Sequence, residues 1–223
     1  MRKPFVLLLI AVLFIGTVAN AQQILEDAAG RPFRASQGIE ASGNPLLYED
    51  WMLGTVELQG GKVYKDVPLN INLLDQQVLF KGKDGASLIF TDNVSSISFA
   101  GADGKSAKIF QRGFPNTSHT TGETYFQVLA DGSLTLLKRQ WKVIWEEKTY
   151  NSATITKTLL DKNELYIFDK EKNELTLVKP SKSKILSLMS KHQSEVETFI
   201  KDNKTNFSKD ESLAQLFVYY NGL

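Results

Sequence analysis

Phe126-Gln127-Val128-Leu129-Ala130-Asp131-Gly132-Ser133-Leu134-Thr135-Leu136-Leu137 reads as two apolar runs hinged on an Asp-Gly pair, a strong short-range sign of an antiparallel hairpin. With Asp131-Gly132 as a two-residue turn, Ala130 pairs with Ser133, Leu129 with Leu134, Val128 with Thr135 and Phe126 with Leu137. Side chains alternate between the faces of a sheet, so Leu129 and Leu134 fall on one face and Phe126 and Leu137 on the other. Both faces are then apolar, and something must cover the second one.

The same turn chemistry recurs upstream. Gln59-Gly60-Gly61-Lys62, Lys83-Asp84-Gly85 and Asp103-Gly104 each lie between β-prone residues, and glycine supplies the positive φ of a tight turn. Four such signals predict an antiparallel meander. Val67, Leu69, Ile71 and Leu73 alternate with Pro68, Asn70, Asn72 and Leu74, the period of a half-buried strand. Pro68 has no N–H to give to a ladder, which places it at an edge or where the N–H would point away from a neighbour.

After Pro180 the period becomes helical. Ile185, Leu188 and Met189, then Val196, Phe199 and Ile200, then Leu213, Leu216, Phe217 and Tyr220 follow i, i+3, i+4 spacing. Ser194 with Glu197 and Ser208 with Glu211 fit the capping box, and Gly222 offers a stop. Short amphipathic helices are marginal alone in water, so their apolar stripes are expected to dock on the β domain or on a partner. The fold class expected is α+β, mainly β: an antiparallel meander, sandwich or open barrel, over 51–178, with a C-terminal cap of short helices over 179–223 packed on it.

The N-terminal part is read differently. Residues 22–50 mix Ala, Gly, Gln and Pro without periodicity, as a leader or linker lying along the domain. Residues 1–21 read as a cleaved signal peptide: Arg2 and Lys3, an apolar run from Phe5 to Ile15, and the small-x-small site Ala19-Asn20-Ala21 before Gln22. That run would span about 16 Å as a helix, about half of a hydrocarbon core. Cleavage removes Arg2 and Lys3 and no acid, so 26 basic residues become 24 against 25 acidic ones, a formal net charge of −1. Such a balance collects no phosphates, so nucleic acid is not an expected partner. No later apolar run reaches spanning length, so no transmembrane anchor is expected in the mature chain.

The chain contains no cysteine. Gln22 therefore cannot carry a lipid, and disulfides, thiol nucleophiles and thiolate metal sites are excluded. The expectation is a periplasmic or secreted protein, soluble after cleavage and not a lipoprotein.

Chemistry-bearing constellations are sparse. Trp141, Val143 and Trp145 share one face of a strand, with the indoles about 13 Å apart. Exposed, Trp141 and Trp145 would form a ligand-binding pair able to stack two sugar rings or a ligand of similar length; buried, they belong to the core or to the surface receiving the helices. Glu146 and Glu147 are adjacent and point to opposite faces, which is no arrangement for paired-carboxylate catalysis. His119, in a polar loop, and His192 lack metalloprotease spacing and read as solvent-exposed; Asp103-Gly104-Lys105-Ser106 lacks the repeated acids of a calcium loop. No nucleophile elbow or phosphate loop occurs. Lys179, Lys182, Lys184 and Lys191 form a basic start to the helical tail, read as a solvated face. No catalytic residue, metal site or cofactor is assigned.

Several stretches together resemble a group of uncharacterised exported β-rich proteins from Bacteroidota. They are Gly43-Asn44-Pro45-Leu46-Leu47-Tyr48, Gly54-Thr55-Val56-Glu57-Leu58, the run Gly61 to Asn72, Phe126 to Gly132, and the tail from Lys182-Ser183-Lys184-Ile185-Leu186 to Tyr219-Tyr220-Asn221. The resemblance implies an envelope-associated bacterial protein and carries over no catalytic residue. The function expected is non-catalytic, a binding or interaction module with a protein or small-molecule partner in the cell envelope. Two alternatives stay open: a carrier holding an apolar, lipid-like ligand between sheet and helical cap, and an envelope enzyme acting on glycans.

Overall fold

The computed structural model describes residues 30–33, 41–101, 107–148 and 155–223. Its strands are β1 (Gly30–Pro32), β2 (Met52–Leu58), β3 (Val63–Asn72), β4 (Gln77–Lys81), β5 (Ser87–Phe90), β6 (Val94–Phe99), β7 (Lys108–Gln111), β8 (Phe126–Ala130), β9 (Leu134–Lys148), β10 (Ile155–Asp169) and β11 (Glu174–Val178). Helices α1 (Lys182–Leu188), α2 (Gln193–Asp202) and α3 (Asp210–Asn221) follow, with a 3-10 turn at Ser190–His192. The strands form one antiparallel sheet in the order β1-β5-β4-β3-β2-β6-β7-β8-β9-β10-β11. The class is as expected, and the sheet stays open, its end strands unpaired with each other. Among the described residues no helix is long and apolar enough to cross a membrane.

The N-terminal half of the sheet must curl. β5 and β6 stand four positions apart in it, about 19 Å if flat, yet only Thr91, Asp92 and Asn93 join Phe90 to Val94, a reach of about 14 Å. Two bulges beside β2 supply the twist. Lys65 and Asp66 stand opposite Thr55 alone, with Asp66 at φ 55, and Ser95 is the extra residue where β6 meets β2. The curl closes on a core that includes Val56, Tyr64, Leu69, Ile71, Ile97 and Phe99. The alternation from Val67 to Leu73 is present, but Asn70 and Asn72 are buried too. Asn70 is satisfied by the Tyr48 and Asp50 carbonyls, and Asn72 accepts from Leu74 and Asp75 to shape the β3–β4 turn. Pro68 lies one residue before the β3–β4 ladder begins at Leu69, so β3 is locally an edge there.

The C-terminal half is covered on both faces. Leu134, Leu136, Ile167 and Val178 pack against Ile185, Met189, Val196, Leu213, Leu216 and Phe217 of the helical segment. On the opposite face Phe126, Leu137, Tyr166 and Leu175 form a second cluster, joined by Phe114 from the loop between β7 and β8. Phe114 meets the rings of Phe126 and Phe168 edge-on at 5.5 and 5.3 Å.

Some local expectations are corrected. Phe126 pairs with Arg139 and Val128 with Leu137, two residues from the predicted register, and Ala130 with Leu136 across a bulge at Leu129. The even shift leaves Phe126 and Leu137 on one face, and Leu129 and Leu134 on the other, as read. Gly132 has no positive φ; a Cβ there would overlap the side chain of Asn221. Gly61 and Gly85 do take positive φ, +82 and +84. Neither predicted capping box forms. Ser194 lies inside α2, which continues from the 3-10 turn, and α3 begins after Lys209 without a side-chain cap. Ser181 caps α1 instead, accepting from the Lys184 N–H. Of segment 22–50, Gly30–Pro32 pairs with β5, Ser42 bridges Thr158 of β10, and Leu46 bridges Asn72. The signal and cleavage residues Ala19, Ala21 and Gln22, and Asp103-Gly104, lie outside the described residues.

Candidate functional site

β9 and β10 are each 15 residues long, whereas β8 reaches only to Arg139 and β11 only to Leu165. Beyond those points the two strands continue as a ribbon. Its base is strapped on one side: the Lys142 N–H donates to the Leu73 carbonyl, the Lys142 ammonium to the Asn44 carbonyl at 2.6 Å, and Ser42 exchanges backbone hydrogen bonds with Lys157 and Leu159. From Val143 to Lys148 the described ribbon extends about 20 Å further.

One ribbon face carries both tryptophans. Trp141 stands opposite Lys162, Val143 opposite Leu160, and Trp145 opposite Thr158. Trp145 is 57 % exposed, Trp141 half-buried. Neither belongs to a core cluster, and their face is the one turned away from the helices.

A polar assembly fixes the inner end of this strip. The Arg139 guanidinium lies 4.3 Å from the centroid of the Trp141 ring, a cation–π contact. Its Nη1 donates to the His119 carbonyl at 3.1 Å and stands 3.7 Å from the Glu164 carboxylate. The Tyr166 hydroxyl donates to the same carboxylate at 2.9 Å. Burial, reinforced by Glu164, pushes the Tyr166 phenol up to about 12. The His119 carbonyl is presented by a loop that its own polar residues order. Thr117 Oγ1 accepts from the His119 and Thr120 N–H groups, and Asn116 Oδ1 accepts from Gly122. Arg139, Glu164 and Tyr166 escaped the sequence reading. Arg139 sits two residues before Trp141, hence on its face, and that spacing was the available signal.

Several titratable groups elsewhere are ion-paired. The expected exposure of His119 holds, while His192 is half-buried, its ring 6.1 Å from that of Tyr220 and its Nδ1 3.9 Å from Glu195. A groove of about 290 Å³ beside it is lined by Asp169, Lys172, Lys191, His192 and Tyr220. Hydrogen bonds from Lys170 to Asp131 and from Lys172 to Asp169 hold both carboxyls below their ordinary value, the opposite of what a general acid needs. Glu146 pairs across the strands with Lys157, and Lys191 with Glu171. A cleft of about 210 Å³ at the mouth of the curled half is bordered by Arg112, Glu123 and Tyr125. Arg112 and Glu123 are ion-paired, and burial pushes the Tyr125 phenol up to about 12. Among the described residues no three His, Asp or Glu side chains converge as metal ligands.

Much of the space between sheet and helical cap, where a carrier would hold its ligand, is occupied by Leu136, Ile167, Met189, Val196, Leu213 and Phe217, and a pocket of about 240 Å³ remains between Leu134, Ile167 and Glu174 of the strands and Lys184 and Leu188 of α1. Comparison with family models, with curated proteins and with solved structures returns no match to this chain.

Proposed function

We propose that this chain is a non-catalytic bacterial envelope protein, exported to the periplasm or beyond, that works as a binding or interaction module through the Trp141–Trp145 face of the β9–β10 ribbon. The observation that carries this reading is the contrast between filled cores and a ribbon that leaves Trp145 57 % exposed. An indole kept in water forgoes burial energy of order 2 kcal/mol. With Val143, Leu160 and half-buried Trp141 it makes an apolar strip rimmed by Arg139, Lys162 and Glu164. An apolar centre with a polar rim suits a partner that offers a flat apolar face and hydrogen-bonding edges. Export rests on the pattern of residues 1–22.

Native mass spectrometry of the protein recovered from its own envelope tests the reading. A bound protein or small molecule is expected on the parent and absent from a Trp141→Ala/Trp145→Ala chain that melts normally. Bare protein in both samples overturns it. N-terminal sequencing of the same material is expected to start at Gln22, and an intact Met1 overturns export.

A further inference from the structure

The last residue of α3 is held as a latch on the β8–β9 turn. Asn221 Nδ2 donates to the Leu134 carbonyl at 2.9 Å and the Asp131 carbonyl at 3.3 Å, while its Oδ1 accepts from the Leu134 N–H at 3.1 Å and the Ser133 hydroxyl at 3.0 Å. The next residue is Gly222, whose N–H donates to the Tyr219 carbonyl at 3.1 Å. An Asn-Gly pair is prone to ring closure, because glycine puts no side chain in the path of its own nitrogen. We propose that Asn221 is a self-modification site whose deamidation is gated by docking of the helical cap.

The reaction needs nothing but water. The Gly222 nitrogen attacks Asn221 Cγ, forming an N–Cγ bond; the Cγ–Nδ2 bond breaks, and Nδ2 leaves as ammonia with the proton from the Gly222 nitrogen. Water then opens the cyclic imide at either carbonyl, to aspartate or isoaspartate. Docking blocks the first step twice. It ties the amide to four partners on the turn, and helical backbone keeps the Gly222 N–H engaged with Tyr219. Release of the cap removes both restraints.

The product cannot re-form the latch. A carboxylate oxygen replaces Nδ2 and faces the Asp131 and Leu134 carbonyls, acceptor against acceptor, so two hydrogen bonds become repulsive contacts. The reaction thereby makes a transient release of the α3 terminus permanent. The apolar side chains behind it, Phe217 and Tyr220 among them, lose that anchor.

The test is to hold the full-length chain at alkaline pH and follow the C-terminal peptide by mass spectrometry. Conversion at Asn221 is expected to be about tenfold slower or more than in a free Val218–Leu223 peptide, the factor that one or two net hydrogen bonds supply. Gly132→Ala, whose methyl group occupies the place of the Asn221 side chain, is expected to remove most of that protection. Ser133→Ala takes one contact from the latch without adding an atom and does the same to a smaller degree if the Gly132 variant does not fold. Asn221→Asp is expected to lower the melting temperature of the chain. Parent conversion as fast as in the peptide, or equal rates in parent and latch variants, overturns the gating. An Asn221→Asp chain as stable as the parent overturns the irreversibility.

Discussion

In the β2–β7 half the strands curl until they close over Val56, Leu69, Ile97 and Phe99, whereas in the β8–β11 half the sheet is covered by segments from outside it. The curled half needs bulges at Lys65-Asp66 and Ser95 and a three-residue connection. The covered half needs three helices on one face and the Phe114 loop on the other, and it keeps polar seams where they join. Asn221 seats α3 on the β8–β9 turn, and Lys138 meets Asp210 at the start of the same helix. A self-covering sheet carries its stability in twist and packing. A sheet that recruits its cover depends in addition on the groups that dock it.

The largest test of this difference is Phe217→Ala, which removes a fully buried ring from the cap at a cost of about 3–5 kcal/mol. Phe99→Ala should cost a similar amount in the curled half. Urea unfolding measures both, and only the Phe217 variant is expected to bind an apolar-surface dye before it unfolds; equal dye binding breaks the comparison.

Next come the two buried phenols, Tyr125 in the curled half and Tyr166 in the covered one, each pushed up to about 12. A raised folded-state value stabilises fully below the ordinary phenol range near 10, and the contribution is lost as pH rises through about 12. For Tyr125, the more deeply buried hydroxyl, the contribution is about 3 kcal/mol at most, and solvent screening makes that of Tyr166 smaller. Chemical denaturation across that window should show stability falling, with the slope reduced in Tyr125→Phe and Tyr166→Phe chains; an unchanged slope refutes the burial argument.

The glycines sharpen the contrast. Gly132→Ala should cost about 2 kcal/mol by overlap with Asn221. Gly85→Ala should cost about 1 kcal/mol through backbone strain at positive φ. A second substitution, Asn221→Ala, should recover part of the first loss and none of the second, which a double-mutant cycle reads directly. The smallest effect is Trp145→Ala, expected to shift stability by no more than about 0.5 kcal/mol. A larger loss by thermal melting would mean that the ribbon face is structural.

Much of this was legible along the chain. Of the helical stripes, Ile185, Met189, Val196, Ile200, Leu213, Leu216, Phe217 and Tyr220 are buried as their spacing predicts, while Leu188 and Phe199 are half-buried. The two-faced hairpin at 126–137 kept its faces even though its register moved by two, because parity survives an even shift. What failed involved more than neighbouring residues. Ser194 and Ser208 have the right spacing for caps, but the chain enters α2 directly from a 3-10 turn and α3 from an uncapped Lys209. Arg139 went unread because its partners, the His119 carbonyl and Glu164, come from a distant loop and the neighbouring strand.

By itself the sequence determined the kinds of element and which side of each would be apolar, since periodicity of two or of three to four is set by local backbone geometry. Only the tertiary structure decided that the first half curls, that a loop and not a helix covers Phe126 and Tyr166, and that Gly132 is glycine for the sake of Asn221. Those outcomes depend on side chains tens of residues apart filling the same few ångströms. No local pattern encodes which distant neighbour arrives there.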